Sequence, residues 1–156
     1  MGGGHLGKYL LSKKDLKHYT GIDISTRSID FAKNNLVNFK NQTTLIHTDE
    51  FYNKFNAKAD IFISQACIQH FHDEKYLLSF LKKIESLSCS TVMLQIRYNN
   101  KTIFNPTNSY VEEKDVCFAC QTNDAYLSKN LKSYKLKHKS KIYEPSKYLF
   151  LVYEKA

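Results

Sequence analysis

Apolar residues along the first two thirds of the chain follow helix and strand periods in alternation. This pattern predicts helices over Leu6–Leu16, Ser25–Leu36 and Asp73–Leu87, with Ser25 or Thr26 as a cap. It predicts strands over Tyr19–Ile24, Thr43–His47, Ala59–Ser64 and Thr91–Ile96. Strands that alternate with helices are typical of a parallel sheet covered by helices, so an α/β fold with one mostly parallel sheet is expected.

The pattern changes after Ile96. Tyr98–Asn123 has no clear period and contains Pro106, and so long an irregular segment in a small domain indicates a functional loop or lid. Asp124–Tyr134 then reads as a helix, and Lys135–Tyr143 and Tyr148–Tyr153 read as a final antiparallel strand pair joined around Pro145. We expect residues 1–156 to form a single domain.

Composition narrows the class of protein. The chain has 156 residues, 42% of them hydrophobic and 24% charged, which fits one globular domain. No apolar run approaches the ~18–20 residues of a membrane span, and the first residues contain no apolar signal core. A cytoplasmic protein without a membrane partner is therefore predicted.

The basic charge and the cysteines leave two further questions. The net charge of +8 fits a nucleic-acid partner. However, only Arg27 and Arg97 are arginines, the residue type preferred for base and phosphate contacts, so a lysine-rich composition with no such partner is the favoured explanation of the charge.

Cys117 and Cys120 have the spacing of a metal or redox pair. Because no second cysteine pair or close histidine pair completes four ligands, no metal site is predicted.

A glycine-rich start precedes the first helix. Gly2, Gly4 and Gly7 fit the G-x-G-x-x-G spacing, in which glycines let the backbone approach a nucleotide-like ligand. Asp23 lies at the end of the next strand, where an acid bonds ribose hydroxyls in dinucleotide-binding folds. The order of glycines, helix, strand and acid predicts a nucleotide-like cofactor.

These residues resemble the class I S-adenosylmethionine-dependent methyltransferases, whose sheet is Rossmann-like. The most specific match is the apolar strand and following loop over Asp60–Phe71. The resemblance implies an enzyme with S-adenosyl-L-methionine as cofactor. The positions that it implies for cofactor binding are Gly2, Gly4, Asp23 for the ribose, Ile24 for the adenine, Asp49, Glu50, Phe51 and Gln65.

The acceptor side is predicted from the loops that follow the fourth and fifth strands of the family. Gln69, His70, Arg97 and Tyr98 are the candidate substrate-binding residues, and His70 is also the candidate catalytic base. His70 as a capping residue and Arg97 as a surface charge stay open as alternatives. A small-molecule acceptor is favoured, because no Asn-Pro-Pro-Tyr-like motif follows the fourth strand.

Two other functions stay open. The lysine-rich segment Lys129–Lys141 suggests an RNA methyltransferase, and a non-enzymatic degenerate fragment is the third interpretation. In the family, an apolar strand ending in an acid precedes the glycine loop, whereas here the glycines begin at residue 2. We therefore expect an N-terminally truncated form in which the strands beside the missing one lack a partner.

Overall fold

The computed structural model describes residues 2–13, 16–104, 110–111, 116–117 and 120–156. The chain divides into two compact units, residues 1–56 and residues 57–156. Within the described ranges, no helix is both long and apolar enough to cross a membrane.

The first unit is a parallel strand pair flanked by helices. In chain order its elements are α1 (His5–Ser12), β1 (Tyr19–Asp23), α2 (Thr26–Asn35), a 3₁₀ segment (Val37–Gln42), β2 (Thr43–His47) and α3 (Thr48–Asn53). Asp23 and His47 are register partners at the ends of β1 and β2. Leu11, Ala32 and Leu36 form the buried cluster of this unit. The Ser25 side chain caps α2 by accepting a hydrogen bond from the N–H of Ser28 at 3.2 Å.

The second unit contains a four-stranded sheet with the order β3-β4-β10-β9. Its elements are β3 (Ile61–Ser64), a 3₁₀ turn (Ile68–His70), α4 (Glu74–Leu87), β4 (Thr91–Arg97), β5 (Ile103–Phe104), β6 (Tyr110–Val111), β7 (Val116–Cys117), β8 (Cys120–Gln121), α5 (Asp124–Asn130), β9 (Tyr134–Lys139) and β10 (Tyr148–Lys155). The β3–β4 pair is parallel, and β10 runs antiparallel to both β4 and β9. Asp73 caps α4, whose buried residues include Leu77 and Ile84.

The expected strands all form, and the C-terminal antiparallel pair is confirmed. The expectation of one sheet is corrected, because the four parallel strands lie as two pairs in two sheets. Among the described residues, β1 pairs only with β2, and β3 pairs only with β4, so both are edge strands. Two helices are shorter than expected: α1 ends at Ser12, and α5 ends at Asn130.

The loop predicted over Tyr98–Asn123 is described only in part. Two short antiparallel pairs, β5 with β8 and β6 with β7, lie within it. Residues 105–109, 112–115 and 118–119 lie outside the described residues, so the expected lid is not covered by the structure as a whole.

Candidate functional site

The glycine turn that precedes α1, residues 2–4, has a backbone conformation that residues with a side chain rarely adopt. Gly2 and Gly4 have φ values of +54° and +78°, which L-residues rarely adopt. A Cβ on Gly4 would lie 3.1 Å from the side chain of Leu36, and a Cβ on Gly7 would lie 2.5 Å from the Tyr19 ring. The turn and α1 therefore approach the strand pair closely because these positions are glycines.

Asp23 connects this turn to the end of β1. Its Oδ2 accepts a hydrogen bond from the backbone N–H of Gly2 at 2.8 Å, and its Oδ1 accepts from the N–H of Ser25 at 3.0 Å. One carboxylate thus holds the glycine turn against the strand end and orders the start of α2. This arrangement brings two of the sequence-predicted residues, Gly2 and Asp23, into direct contact.

The residues after β1 and β2 lie beside this carboxylate in the same unit. Ile24 is 69% exposed, which is unusual for a large apolar side chain next to a strand. Asp49 and Glu50 form the first turn of α3. Phe51 is only 2% exposed and packs against the ring of Tyr52, with ring centroids 5.3 Å apart. Its ring is therefore part of the core of this unit.

His47 belongs to the same group, although sequence reasoning assigned it no role. Its Nε2 lies 2.8 Å from the carbonyl oxygen of Ile24, and its Nδ1 lies 3.3 Å from the backbone N of Asp49. The histidine therefore joins the segment after β1 to the start of α3. In the structure it is the register partner of Asp23, a relationship that the sequence alone does not reveal.

Tyr19 lies at the opposite end of β1 from Asp23. Burial, and after it the Asp23 carboxylate, raises the pKa of the Tyr19 phenol above its ordinary value. The phenol stays neutral at physiological pH, and its ring packs over Gly7. Tyr19 therefore acts as a packing residue beneath the turn.

A polar cluster of the second unit follows β3. Gln69 is 4% exposed, its Nε2 donates to the Tyr148 hydroxyl at 3.4 Å, and the same nitrogen lies 3.4 Å from His70 Nε2. The Oε1 of Gln69 has no hydrogen-bond partner among the described residues. A buried acceptor without a partner costs ~1–3 kcal/mol, which makes it a place where a bound donor would pair.

Tyr148 was missed by sequence reasoning. It begins β10 and is the register partner of Arg97 at the end of β4. The partly buried Tyr98 follows, and its hydroxyl donates to Asn100 Oδ1 at 2.7 Å. Gln65 is exposed in the loop after β3. The second unit thus holds Gln69, His70 and Tyr148 together, with Arg97 beside Tyr148 in the sheet.

The comparisons with known proteins concern the family and the fold of the chain. The model of a family described as a methyltransferase domain matches residues 1–87, which is more than half of the chain. Among curated protein sequences, none matches the chain.

Solved structures match the chain over almost its whole length. The methyltransferase domain of a bacterial protein, CtHen1-C, has a TM-score of 0.74 at 20% identity. The match covers 99% of the present chain and 86% of the CtHen1-C chain. A S-adenosylmethionine-dependent methyltransferase of Methanosarcina mazei has a TM-score of 0.74 at 15% identity, covering 99% and 88%. The 1,6-didemethyltoxoflavin-N1-methyltransferase of Burkholderia thailandensis, with 1,6-didemethyltoxoflavin and S-adenosylhomocysteine bound, has a TM-score of 0.70 at 13% identity, and the match covers 99% of this chain and 69% of that one. These likenesses confirm the predicted fold class.

Proposed function

Because the chain belongs to the class I S-adenosylmethionine-dependent methyltransferases, we propose that it transfers the cofactor's methyl group to a small-molecule acceptor. The observation that carries the proposal is the Asp23 carboxylate, which accepts from Gly2 and Ser25 at the end of a parallel strand. Ligands of open α/β sheets bind at the carboxyl ends of the strands, where this carboxylate lies.

The first unit fits the adenosine part of the cofactor. A carboxylate offers about four lone-pair sites, so Asp23 can accept from ribose hydroxyls besides the two backbone N–H groups. The exposed side chain of Ile24 offers an apolar surface for the adenine, and Asp49 and Glu50 at the start of α3 can accept from its amino group. The buried Phe51 would support this surface from below, and Gly2 and Gly4 leave room for the ligand.

Gln65, in the loop after β3, would contact the remaining part of the cofactor. S-adenosylmethionine supplies an electrophilic methyl group when bound, and the protein's part in such a transfer is mainly placement. The residues of this chain therefore have to bind, orient and deprotonate the acceptor.

The second unit supplies groups for that task. Gln69 and Tyr148 would orient the acceptor through its polar groups, because the Gln69 Oε1 is buried without a described partner. His70 is exposed beside Gln69, and a ring nitrogen of its imidazole would take the proton that the acceptor loses. Arg97 and Tyr98 would line the same region of the second unit.

A small-molecule acceptor fits the few groups of the described polar cluster, Gln69, His70 and Tyr148. The Burkholderia protein of similar fold is described as a 1,6-didemethyltoxoflavin-N1-methyltransferase. The exposed lysines of β9, which include Lys135 and Lys137, favour RNA as the second candidate acceptor. The two candidates differ in the salt dependence of acceptor binding, which is steep only for RNA.

Calorimetric titration of the 156-residue chain with S-adenosylhomocysteine tests the cofactor site. Wild type should bind, and Asp23→Ala should weaken binding by ~1–3 kcal/mol, because a charged acceptor facing two hydroxyls is lost. Asp30→Ala is the matched control, since Asp30 is an exposed carboxylate on α2 that pairs with Lys33. Equal affinity of wild type and Asp23→Ala would exclude the ribose role, and no binding by wild type would favour a non-enzymatic protein.

The acceptor is tested by methyl transfer from radiolabelled S-adenosylmethionine. The acceptors to compare are a panel of small hydroxyl, carboxylate and amine compounds and a mixture of RNA oligonucleotides. Labelling of a small compound that is lost in His70→Ala supports the proposal. Labelling of RNA alone, with strong inhibition by salt, would replace the small-molecule acceptor with RNA.

A further inference from the structure

The segment that follows β4 is joined to the residues just before α5 by hydrogen bonds within the second unit. The N–H of Thr122 donates to the carbonyl oxygen of Arg97, and the N–H of Asn99 donates to the carbonyl oxygen of Thr122, both at 3.0 Å. The hydroxyl oxygens of Thr102 and Thr122 lie 2.8 Å apart, and Thr122 is buried. The two stretches therefore meet at a buried residue.

Asn123, the residue after this junction, uses both ends of its side-chain amide. Its Oδ1 accepts from the backbone N–H of Tyr126 at 2.8 Å, which caps α5. Its Nδ2 donates to the carbonyl oxygens of Asn99 at 3.2 Å and Asn100 at 3.0 Å. An asparagine can do this because a primary amide offers an acceptor and two N–H donors. One side chain thus starts α5 and fixes the backbone after β4.

Asn100 carries this restraint on to Tyr98. The Tyr98 hydroxyl donates to Asn100 Oδ1 at 2.7 Å, while the Asn100 carbonyl is bound by Asn123. Asn99, between Tyr98 and Asn100, is held as well, since its Nδ2 donates to Gln121 Oε1 at 2.8 Å. The position of the Tyr98 hydroxyl is therefore set by Asn123 through one intervening residue.

The ring of Tyr98 is restrained from the residue next to Asn123. Lys139 Nζ lies 5.8 Å from the centroid of the Tyr98 ring, a distance that permits a cation–π contact. The same Nζ donates to Asp124 Oδ1 at 2.7 Å. Because Asp124 is the first residue of α5, its carboxylate helps to place the ammonium group over the ring. The start of α5 thus acts on Tyr98 at both its hydroxyl and its ring.

We propose that Asn123 is a positioning residue of the acceptor site, which acts by fixing the side chain of Tyr98. This inference rests on the proposed function, in which Tyr98 lines the region that binds the methyl acceptor. Methyl transfer depends on placement of the acceptor, so a displaced lining residue should weaken acceptor binding. The expected signature is a raised KM for the acceptor with unchanged affinity for S-adenosylhomocysteine.

A purely structural role is the competing explanation, because asparagine is a common helix cap and loss of a cap destabilises a protein. The two roles use different atoms of Asn123. Its Oδ1 caps α5, whereas its Nδ2 holds the segment after β4. A variant that keeps the oxygen and loses the N–H donors therefore separates the two roles.

Asn123→Asp is such a variant, because aspartate caps helices as well as asparagine does but has no N–H donor. Asn123→Ser is a second one, since serine is also a good cap and adds no charge. Asn130→Asp is the matched control. Asn130 Nδ2 donates to the carbonyl oxygen of Tyr126 at 2.8 Å, at the other end of α5. Thermal unfolding and S-adenosylhomocysteine affinity verify that each variant is folded.

The first measurement follows Tyr98 directly in the full chain. The 11 tyrosines are replaced by 3-fluorotyrosine, and the fluorine resonance of Tyr98 is assigned by its loss in Tyr98→Phe. We expect Asn123→Asp and Asn123→Ser to shift this resonance, because the hydrogen-bond partner of the phenol is no longer fixed. Asn130→Asp should leave it in place. A resonance that neither Asn123 variant shifts would overturn the proposal, whether or not methyl transfer is observed.

The second measurement is KM for an acceptor identified by the methyl-transfer screen. Both Asn123 variants should raise this KM about threefold to tenfold, which corresponds to one hydrogen bond of the site. In the Tyr98→Phe background the same substitutions should add little, because the hydroxyl through which they act is absent. Asn130→Asp should leave KM unchanged.

The contrary outcomes separate this inference from the proposed function. If Asn123→Asp raises KM equally with and without the Tyr98 hydroxyl, or if Asn130→Asp raises it as much, the role of Asn123 is structural and the proposal is overturned. An unchanged KM despite a shifted Tyr98 resonance would also overturn it. A wild-type chain that labels no acceptor would contradict the proposed function, whereas the fluorine resonance would still decide whether Asn123 fixes Tyr98.

Discussion

His47 donates a hydrogen bond from Nε2 to the carbonyl oxygen of Ile24 at 2.8 Å and accepts one at Nδ1 from the N–H of Asp49 at 3.3 Å. Because a carbonyl can only accept, Nε2 is the donor in the contact with Ile24. The histidine lies at the end of β2 and therefore positions both the residue after β1 and the start of α3. It sets the distance between Ile24 and Asp49, two residues proposed to contact the cofactor.

We expect His47→Ala to weaken S-adenosylhomocysteine binding about 3- to 10-fold, because a hydrogen bond worth ~0.5–1.5 kcal/mol no longer positions Ile24. Calorimetric titration measures the loss. His18→Ala is the matched control, since His18 Nε2 makes a 2.9 Å hydrogen bond to Thr44 Oγ1 at the other end of the same strand pair. If both variants lose affinity equally, the effect comes from the strand pair as a whole.

Tyr148→Phe removes the hydroxyl that accepts from Gln69 Nε2. With an acceptor identified by the methyl-transfer screen, we expect KM for that acceptor to rise about 3- to 10-fold, as expected for one lost hydrogen bond of ~0.5–1.5 kcal/mol. Affinity for S-adenosylhomocysteine should not change. Tyr143→Phe is the control, because Tyr143 is 67% exposed and pairs with Tyr148 only through the backbone. An unchanged KM would remove Tyr148 from the acceptor site.

Gly7→Ala should destabilise the protein by ~1–3 kcal/mol, because the new Cβ would lie 2.5 Å from the Tyr19 ring and force it to move. Alanine has a helix propensity up to ~1 kcal/mol more favourable than glycine, which opposes the clash with Tyr19. The sign of the change in the free energy of unfolding therefore shows which of the two effects is larger. Urea unfolding followed by circular dichroism measures it. Lys8→Ala, at the exposed neighbouring position of α1, should change stability little. A stabilised Gly7→Ala would show that the ring moves without cost.

Alkaline pH should weaken the fold through two buried acids of the second unit. Burial raises the pKa of the Cys120 thiol to about 12, and burial raises the pKa of the Tyr153 phenol to about 12. In the unfolded chain these groups ionise near about 8.5 and about 10. The stability that they contribute is therefore fully present below these unfolded values and is lost as pH rises toward the folded ones.

Urea unfolding at a series of pH values measures this loss. The free energy of unfolding should fall by up to ~1.4 kcal/mol per pH unit for each group above its unfolded pKa. Cys120→Ala should flatten the curve above pH ~9, and Tyr153→Phe should flatten it above pH ~10. The slope is compared, not the absolute stability, since both substitutions also change packing. A slope that neither variant alters would assign the loss to other groups.

Much of the fold could be predicted because the decisive signals are local. The strand Thr43–His47 was predicted with its observed bounds. Ser25, one of the two residues expected to cap α2, is the observed cap. The division into two sheets could not be predicted from these signals. Strand pairing is a long-range property, and the periods of β1 and β3 are the same whether one edge or both edges are paired.

The site shows the same limit. Gly2 and Asp23 were predicted from their order along the chain, and their contact follows from the close approach that glycine allows. Tyr148 is separated from Gln69 by 79 residues, so only the register of β10 against β4 brings it near. A single histidine such as His47 carries no spacing signal, because its role depends on the carbonyl of Ile24, the residue that follows β1.

The two edges of the four-stranded sheet differ in their protection against aggregation. The β9 edge carries Lys135, Lys137 and Lys139, and lysines are a common means of discouraging intermolecular strand pairing. The β3 edge reads Ile-Phe-Ile-Ser, with no charge and no proline. Among the described edges of the four-stranded sheet, pairing between two molecules is therefore favoured at β3. Two sheets joined through β3 would leave a lysine-bearing β9 edge at each end, which discourages further growth by this sheet.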